Sequence, residues 1–275
     1  MRSKCPKFNV SWVSGMPRSG TTWLSQIIAS SPDVRLKSCP LFSYEFKNAL
    51  NKESTKEQWE QLFVDVYNTE SEFLDQEHLR KHGLVPTYEY KVASPGNLVI
   101  KSNRFHNLTP YILSLNEDVR FVYIVRNPCA AIYSWMSDPQ EFPENANPLN
   151  EWRTGHCRKT GPGEFWGFDD WKLVTLQSIS LSEQYPKRFK IIRYEELVKN
   201  PVEITEAIFQ FLHIPFGAET LNFIKMSHSK HDAHKHSIYK NPKLLNKWEN
   251  MLDKTIVELC MKDIEASDLE RFAAS

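Results

Sequence analysis

The stretch Gly15 to Thr22 has the spacing of a loop that binds phosphate through its backbone. Such a P-loop consists of a glycine, four residues and then Gly-Lys-Ser/Thr, placed between a strand and a helix. Gly15 and Gly20 hold the glycine positions, but Thr21 replaces the lysine, and the nearest cation is Arg18 inside the loop. The helix start and its backbone N–H groups predict an anion site. The missing lysine argues against a metal-bound triphosphate.

A second stretch places an arginine between a predicted strand and a predicted helix. Arg126 follows the apolar run 121–125, and Asn127 with Pro128 is typical of a helix start. Ser134 lies two turns into that helix. Because ligands of parallel α/β sheets lie at the carboxyl ends of the strands, we expect this second anion site to lie beside the first. A nucleotide with two separated phosphates could use both.

The elements that must position these residues alternate along the chain. Short apolar runs predict four buried strands, namely Val10–Val13, Leu98–Lys101, Arg120–Val125 and Lys190–Tyr194. The predicted helices are Thr21–Ala29, Gln58–Tyr67, Pro128–Met136, Lys172–Gln184, Val202–Leu212 and Leu244–Lys262. This order predicts an α/β fold with a P-loop-like central parallel sheet flanked by helices. No linker divides the chain, so we expect a single domain over residues 1–275, with Asp138–Phe168 as a long loop.

Composition excludes several function classes. The 34 basic and 34 acidic residues give a formal net charge of zero, which argues against a non-specific nucleic-acid binder. The chain has no run of 18 apolar residues, and its first residues lack the apolar stretch of a signal peptide, so we expect no membrane association. Five widely spaced cysteines without a CxxC pair predict reduced thiols and a cytoplasmic location.

The two anion motifs together resemble those of sulfotransferases that use 3′-phosphoadenosine 5′-phosphosulfate (PAPS), in a small-molecule, bacterial-type branch. The sequence PRSGTTW, residues 17–23, is similar to the 5′-phosphosulfate loop of that family, and Arg126 with Ser134 is similar to its 3′-phosphate motif. The segment 191–201 is similar to the strand and turn that lie beside the adenine in that family. The resemblance extends from about residue 10 to 215 and implies PAPS as donor, 3′,5′-bisphosphoadenosine (PAP) as product, and no metal. The nucleotide contacts that it implies are Arg18, Ser19, Gly20, Thr21, Thr22, Trp23, Arg126, Ser134, Tyr194 and, from a C-terminal loop, Ser237, Tyr239 and Lys240.

The catalytic residues follow from the same resemblance. It implies that Arg18 holds oxygens of the leaving phosphate and that Lys101, at the end of the second predicted strand, contacts the sulfuryl group. The cytosolic branch of the family has a histidine two residues after this lysine, where this chain has Asn103. Two other side chains are therefore candidates for the general base, and Glu45 ranks slightly ahead of His106. The alternatives are a solvated carboxylate at Glu45 and a histidine bonded to backbone at His106.

The stretch FWGFDDW, residues 165–171, combines aromatic rings with two carboxylates. Trp166, Asp169 and Asp170 are predicted to form a substrate wall that suits a cationic acceptor. The alternative is a helix start with an aspartate cap. The expected acceptor is a hydroxyl or amine of a small molecule, and one option is a guanidinium alkaloid from natural-product toxin biosynthesis.

Two other hypotheses predict different ligands. A P-loop kinase would bind ATP with Mg²⁺, and a catalytically silent protein would bind PAP without turnover. The histidine-rich stretch from His228 to His236 is interpreted as part of a loop over the nucleotide rather than a metal site, because its spacings do not suit one helix face. No motif in the chain indicates the oligomeric state.

Overall fold

A parallel sheet forms the centre of the molecule. The computed structural model describes residues 8–229, 238 and 245–274, and within them five strands pair in the order β2-β3-β1-β4-β5. All four pairings are parallel. The fold class predicted from the sequence is therefore confirmed. The strands are β1 (Asn9–Ser14), β2 (Val34–Ser38), β3 (Asn97–Ser102), β4 (Arg120–Val125) and β5 (Phe189–Arg193).

Helices connect the strands and cover both faces of the sheet. The helices of the described residues are α1 (Thr21–Ala29), α2 (Lys56–Asn68), α3 (Glu77–Lys81), α4 (Thr109–Leu115), α5 (Pro128–Met136), α6 (Pro148–Glu151), α7 (Gly167–Gln184), α8 (Tyr194–Lys199), α9 (Pro201–Leu212), α10 (Ala218–Ser229), α11 (Trp248–Met251) and α12 (Lys254–Ile264). None of the helices in the described ranges is long and apolar enough to cross a membrane.

The structure differs from the sequence-based prediction at several elements. Strand β2 was not predicted, because Arg35 and Lys37 interrupt its apolar pattern. The Lys37 side chain is nevertheless buried, because its ammonium group binds the Asp75 carboxylate at 2.7 Å. The predicted helix from Leu244 is interrupted before α12, where the Asp253 side chain accepts a hydrogen bond from Thr255 N–H and begins a new helix. The predicted loop 138–168 contains the short helix α6.

Two apolar clusters lie on opposite faces of the sheet. Successive side chains of a strand point to opposite faces, so Trp12 and Ile100 enter one cluster with residues of α2, α5, α7 and α12. Val13 and Val99 enter the other, with residues of α1, α9 and α10. Burial on both faces explains why the central strands are nearly continuous apolar runs. The carboxyl ends of all five strands then lie along one edge of the sheet.

Candidate functional site

A cavity of about 610 Å³ opens at the carboxyl ends of the strands. On one side it is lined by the β1–α1 loop and the starts of the segments after β4 and β5, namely Pro17, Arg18, Gly20, Thr21, Thr22, Trp23, Arg126, Ser134, Tyr194 and Val198. On the other side it is lined by residues that follow β2 and β3 and by the α3 region, namely Cys39, Phe42, Phe73, Gln76, His78, Leu79, Lys101, Asn103 and Arg104. The position agrees with the ligand sites of open parallel α/β sheets.

The β1–α1 loop packs tightly against neighbouring strands. A Cβ added at Gly15 would lie 2.5 Å from the carbonyl oxygen of Ile124, so this position requires glycine. Gly20 has a φ of 92° and is the N-cap of α1. Ser19, one of the nucleotide contacts that the resemblance implies, uses its N–H within the loop, where it donates to Met16 O at 3.2 Å. The Ser19 side chain is fully buried.

Arg18 joins the two predicted anion motifs. Its Nε donates to Ser134 Oγ at 3.2 Å, and its backbone oxygen accepts from Arg126 at 2.9 Å. A guanidinium nitrogen of Arg18 also lies 3.3 Å from the carboxylate of Asp138, a buried residue that sequence reasoning missed. Burial lowers the pKa of the Arg18 guanidinium, and the charge of Asp138 partly offsets this effect. The structure thus brings both predicted phosphate contacts to one place.

Aromatic rings border the same side of the cavity. The Arg126 guanidinium lies over the Tyr194 ring at 4.7 Å, and the Trp23 ring meets Tyr194 edge-on with centroids 6.3 Å apart. Trp23 Nε1 donates to Ser227 Oγ at 3.1 Å, which anchors the indole to α10. The backbone oxygen of Arg126 accepts from the indole N–H of Trp171 at 3.1 Å. These contacts orient an arginine and two rings that could face a nucleotide.

Lys101 ends a buried strand beside the second half of the cavity. It is only 8% exposed, and its backbone oxygen accepts from Cys39 N–H at 2.7 Å. Cys39 adopts a left-handed backbone with φ of 45°, and its Sγ lies 3.5 Å from Asn103 Oδ1. Lys101 therefore lines the cavity at the carboxyl end of β3, where the family resemblance expects a sulfuryl contact.

Neither sequence-predicted base lines the cavity. Glu45 is exposed, and hydrogen bonds from Ser71 and then from its own backbone and Ser43 keep its pKa below the ordinary value despite slight burial. His106 is 2% exposed, with its Nδ1 3.3 Å from Ser14 Oγ. Burial lowers the pKa of His106 to about 3. The exposure of Glu45 agrees with the alternative of a solvated carboxylate, and the interaction of His106 with the backbone of Asn103 agrees with the alternative of a histidine bonded to backbone.

The two aspartates of the predicted acceptor wall also lie elsewhere. Trp166 lines the cavity, but Asp169 binds Arg153 at 3.0 Å and Asp170 binds Lys159 at 2.7 Å. Asp170 also accepts from Trp166 N–H at 2.8 Å. Because α7 begins at Gly167, both carboxylates fall in its first turn and meet nearby cations there. Both residues thus lie at a helix start, although the N-cap is Trp166 and neither aspartate occupies the cap position.

The part of the cavity that follows β2 and β3 contains residues that the sequence did not indicate. The Arg104 guanidinium lies 3.8 Å from the centre of the Phe42 ring and forms an ion pair with the buried carboxylate of Glu164. Phe42 and Phe73 have ring centroids 6.1 Å apart. These residues come from distant segments, so spacing along the chain offers no signal. Only the position of Arg104, three residues after Lys101, could have suggested that it lies near the site.

Part of the predicted nucleotide contact lies beyond what the structure describes. Ser237, Tyr239 and Lys240, with residues 230–236 of the histidine-rich stretch, fall outside the described residues. Ile238 is described, and it is buried and lines the cavity. Within residues 8–229, 238 and 245–274, no group of three or more His, Cys, Asp or Glu side chains could hold a metal ion.

Comparison with known proteins identifies a relative by sequence and solved structures with a similar fold. The protein-tyrosine sulfotransferase of Drosophila melanogaster is 23% identical over 219 residues, which make up 77% of this chain and 39% of that protein. The chain thus spans well under half the length of that relative. The mouse sulfotransferase SULT7A1 complexed with PAP superposes with a TM-score of 0.55 at 18% identity, covering 96% of this chain and 87% of that chain.

A bacterial domain has the same fold. The sulfotransferase domain of the Synechococcus PCC 7002 olefin synthase superposes with a TM-score of 0.53 at 17% identity, covering 96% of this chain and 98% of that domain. At such identities the structural matches establish the fold alone. The model of the Sulfotransferase family matches residues 12–218, well over half of the sequence. Taken with the strand–loop–helix site at the sheet edge, this match shows that the chain belongs to the sulfotransferase family.

Proposed function

We propose that this protein transfers the sulfuryl group of PAPS to a hydroxyl or amine of a small molecule and releases PAP. One observation carries the proposal: Arg18 contacts Ser134 through its side chain and Arg126 through its backbone, so both anion motifs meet in a loop that has no P-loop lysine. Two clustered arginines in a loop without the P-loop lysine suit a nucleotide with separated phosphates and no bridging metal. PAP, which occupies the mouse relative, is such a nucleotide.

The chemistry would require little beyond positioning and charge neutralisation. The bond between sulfur and the 5′-phosphate oxygen breaks, a bond from sulfur to the acceptor forms, and the acceptor proton passes to a base. In this proposal Arg18 stabilises the negative charge on the leaving phosphate and Lys101 contacts the sulfuryl oxygens. Removal of one such donor typically lowers a rate by about 10²–10³-fold.

The acceptor is proposed to be a small molecule of bacterial natural-product type, in a cytoplasmic enzyme. The cavity of about 610 Å³ falls in the size range of small-molecule sites. The olefin synthase domain is a neighbour from a biosynthetic enzyme. The guanidinium alkaloid option is weaker than the sequence indicated, because among the described acidic residues only Glu141 lines the cavity, and it binds Arg158.

Thermal unfolding with nucleotides tests the proposal. PAP without metal at about 100 times its dissociation constant should add roughly 2.7 kcal/mol of stability. Arg18→Ala should remove most of this gain, whereas the exposed Arg271→Ala serves as the matched control. Stabilisation by ADP with Mg²⁺ alone would contradict the proposal and favour a kinase. PAP binding without consumption of PAPS in the presence of phenols, alcohols and amines would indicate the catalytically silent alternative.

A further inference from the structure

The transfer step needs a proton acceptor on the acceptor side of the cavity. Glu45 and His106 do not line it, and the Asn103 amide cannot take up a proton at ordinary pH. Among the described lining residues, the remaining side chains suited to accept a proton near neutral pH are Cys39, Glu141 and His78. The contacts of these three side chains show which of them is available to accept a proton.

Cys39 and Glu141 are each occupied by another group. The Cys39 thiol donates to the Asn103 amide oxygen at 3.5 Å, so its sulfur already contacts a neighbouring side chain. One carboxylate oxygen of Glu141 accepts from Arg158 Nε at 3.1 Å, and its charge also acts on Arg18. Glu141 thus balances the charge of the arginine that would bind the donor phosphate.

His78, in α3, has the tautomer that a base requires. Its Nδ1 lies 3.3 Å from the backbone oxygen of Glu72. A carbonyl oxygen only accepts hydrogen bonds, so Nδ1 carries the hydrogen of this contact. In the neutral ring the lone pair then lies on Nε2, the nitrogen that could accept a proton. The hydrogen bond to backbone selects this tautomer as it does in other catalytic histidines.

Aromatic packing holds the His78 ring at the cavity wall. The ring is nearly parallel to that of Phe73, with an interplanar angle of 4° and centroids 6.2 Å apart. Phe73 in turn contacts Phe42, whose side chain is 42% exposed. The three rings follow one another along the cavity lining. The charge of Glu72 acts on His78, and Glu72 also binds Lys81 at 2.7 Å. Glu77 and Arg80 are further charged neighbours on α3.

We infer that His78 is the general base of the sulfuryl transfer and that Phe42 and Phe73 bind the acceptor beside it. This inference rests on the proposed function. As the acceptor oxygen or nitrogen attacks sulfur, its proton passes to His78 Nε2, and the electron pair of the broken sulfur–oxygen bond leaves with PAP. The imidazolium that forms then releases the proton to solvent, because the His78 side chain is exposed. An acceptor with a flat apolar part next to its nucleophilic atom fits this wall.

The test compares His78→Gln with His82→Gln. His82 follows the same helix, is exposed and does not line the cavity, so it is the matched control. The probe is PAPS alone, with water as sulfuryl acceptor, followed as PAP release by chromatography from pH 5 to 9. We expect His78→Gln to slow release about 10²-fold or more, to remove the loss of rate on the acid side, and to leave the PAP dissociation constant within twofold.

A second measurement keeps the inference testable if turnover with water is too slow. Long-range ¹H–¹⁵N spectra of the wild-type protein with PAP should show the Nδ1–H tautomer for the imidazole that is missing in His78→Gln. An Nε2–H tautomer, or an unchanged rate and pH profile in His78→Gln, overturns the inference. A parallel loss of PAP affinity and rate would indicate a structural role and also overturn it. Failure of PAP to bind the wild type contradicts the proposed function instead.

Discussion

Arg18 combines an unusual backbone conformation with several side-chain contacts. Its φ of 68° lies in the left-handed region, which costs a residue other than glycine about 1 kcal/mol or more. Contacts with Ser134, Asp138 and Arg126 hold it there. Residues held in such a conformation by many contacts cluster at functional sites. The strain is therefore consistent with a guanidinium that must be positioned before a ligand arrives.

His106 shows how burial changes the chemistry of a residue that looks catalytic in the sequence. Its ring meets Tyr123 and Phe165 edge-on, with centroids 5.9 and 5.1 Å away. Among the described residues, its Nε2 is buried without a hydrogen-bond partner. A charged imidazolium there would lose its hydration, and the backbone interaction with Asn103 offsets only part of this cost. The residue therefore stays neutral in the folded protein.

The stability of the protein should fall in mild acid because of His106. Its folded-state pKa of about 3 lies below the ordinary value of 6.5, so the unfolded chain binds the proton first. The contribution is fully present above about pH 6.5 and is lost as the pH falls towards 3. Between pH 7 and 5 this one residue should lower the free energy of unfolding by about 2 kcal/mol.

Denaturant unfolding at pH 7 and pH 5 measures this effect. His106→Gln is expected to lose about 2 kcal/mol less than the wild type over this interval, whatever its absolute stability. The exposed His82→Gln should lose as much as the wild type. If the free energy of unfolding depends on pH in the same way for His106→Gln and the wild type, protonation of His106 is not the cause of that dependence.

At the scale of elements, the β1–α1 unit depends on two close approaches by glycine. Gly15 approaches the backbone of β4, and Gly20 approaches the ring of Tyr194 at the start of α8. A Cβ at Gly20 would lie 2.5 Å from this ring. The loop, the end of β4 and the start of α8 are thus packed into one unit, which explains how motifs more than 100 residues apart meet.

Gly20→Ala should damage both stability and nucleotide binding. Gly83 provides a matched control, because its φ of 67° is also left-handed but a Cβ there would meet nothing within 4 Å. Gly83→Ala should therefore cost only the backbone term, about 1 kcal/mol. Gly20→Ala adds the clash with Tyr194, about 1–3 kcal/mol more, and should abolish the shift in melting temperature caused by PAP. Equal destabilisation by the two substitutions would show that the ring moves aside freely.

At the scale of the whole molecule, the two apolar clusters share one sheet. Residues of β1, β3 and β4 contribute to both, so neither cluster can come apart without exposing strands that the other needs. We therefore predict that the chain unfolds as a single domain. Near- and far-ultraviolet circular dichroism should give one coincident thermal transition, and PAP should shift all of it. Two transitions, only one of them shifted by PAP, would contradict the single-domain prediction.

Part of the structure follows from local sequence, and part does not. The phosphate loop, the Arg126 turn and the Asn127 cap of α5 each occupy a few consecutive residues, so their patterns could be recognised directly. Strand β2 was missed because its buried Lys37 is tolerated only through distant partners, the backbone oxygen of Thr69 and the carboxylate of Asp75, 32 and 38 residues further on. Similarly, Asp169 and Asp170 look like free carboxylates until the chain folds and supplies Arg153 and Lys159.

The sequence by itself determined the family, the fold class and the residues expected around the nucleotide phosphates, because these rest on short-range periodicity and on motifs read in one stretch. Only the tertiary structure decided which side chains line the cavity. The burial of His106 and the placement of Phe42, Phe73 and His78 at the cavity depend on packing between segments separated in the chain. Burial and partners set the protonation and accessibility of a side chain, and neither can be read from its neighbours in sequence.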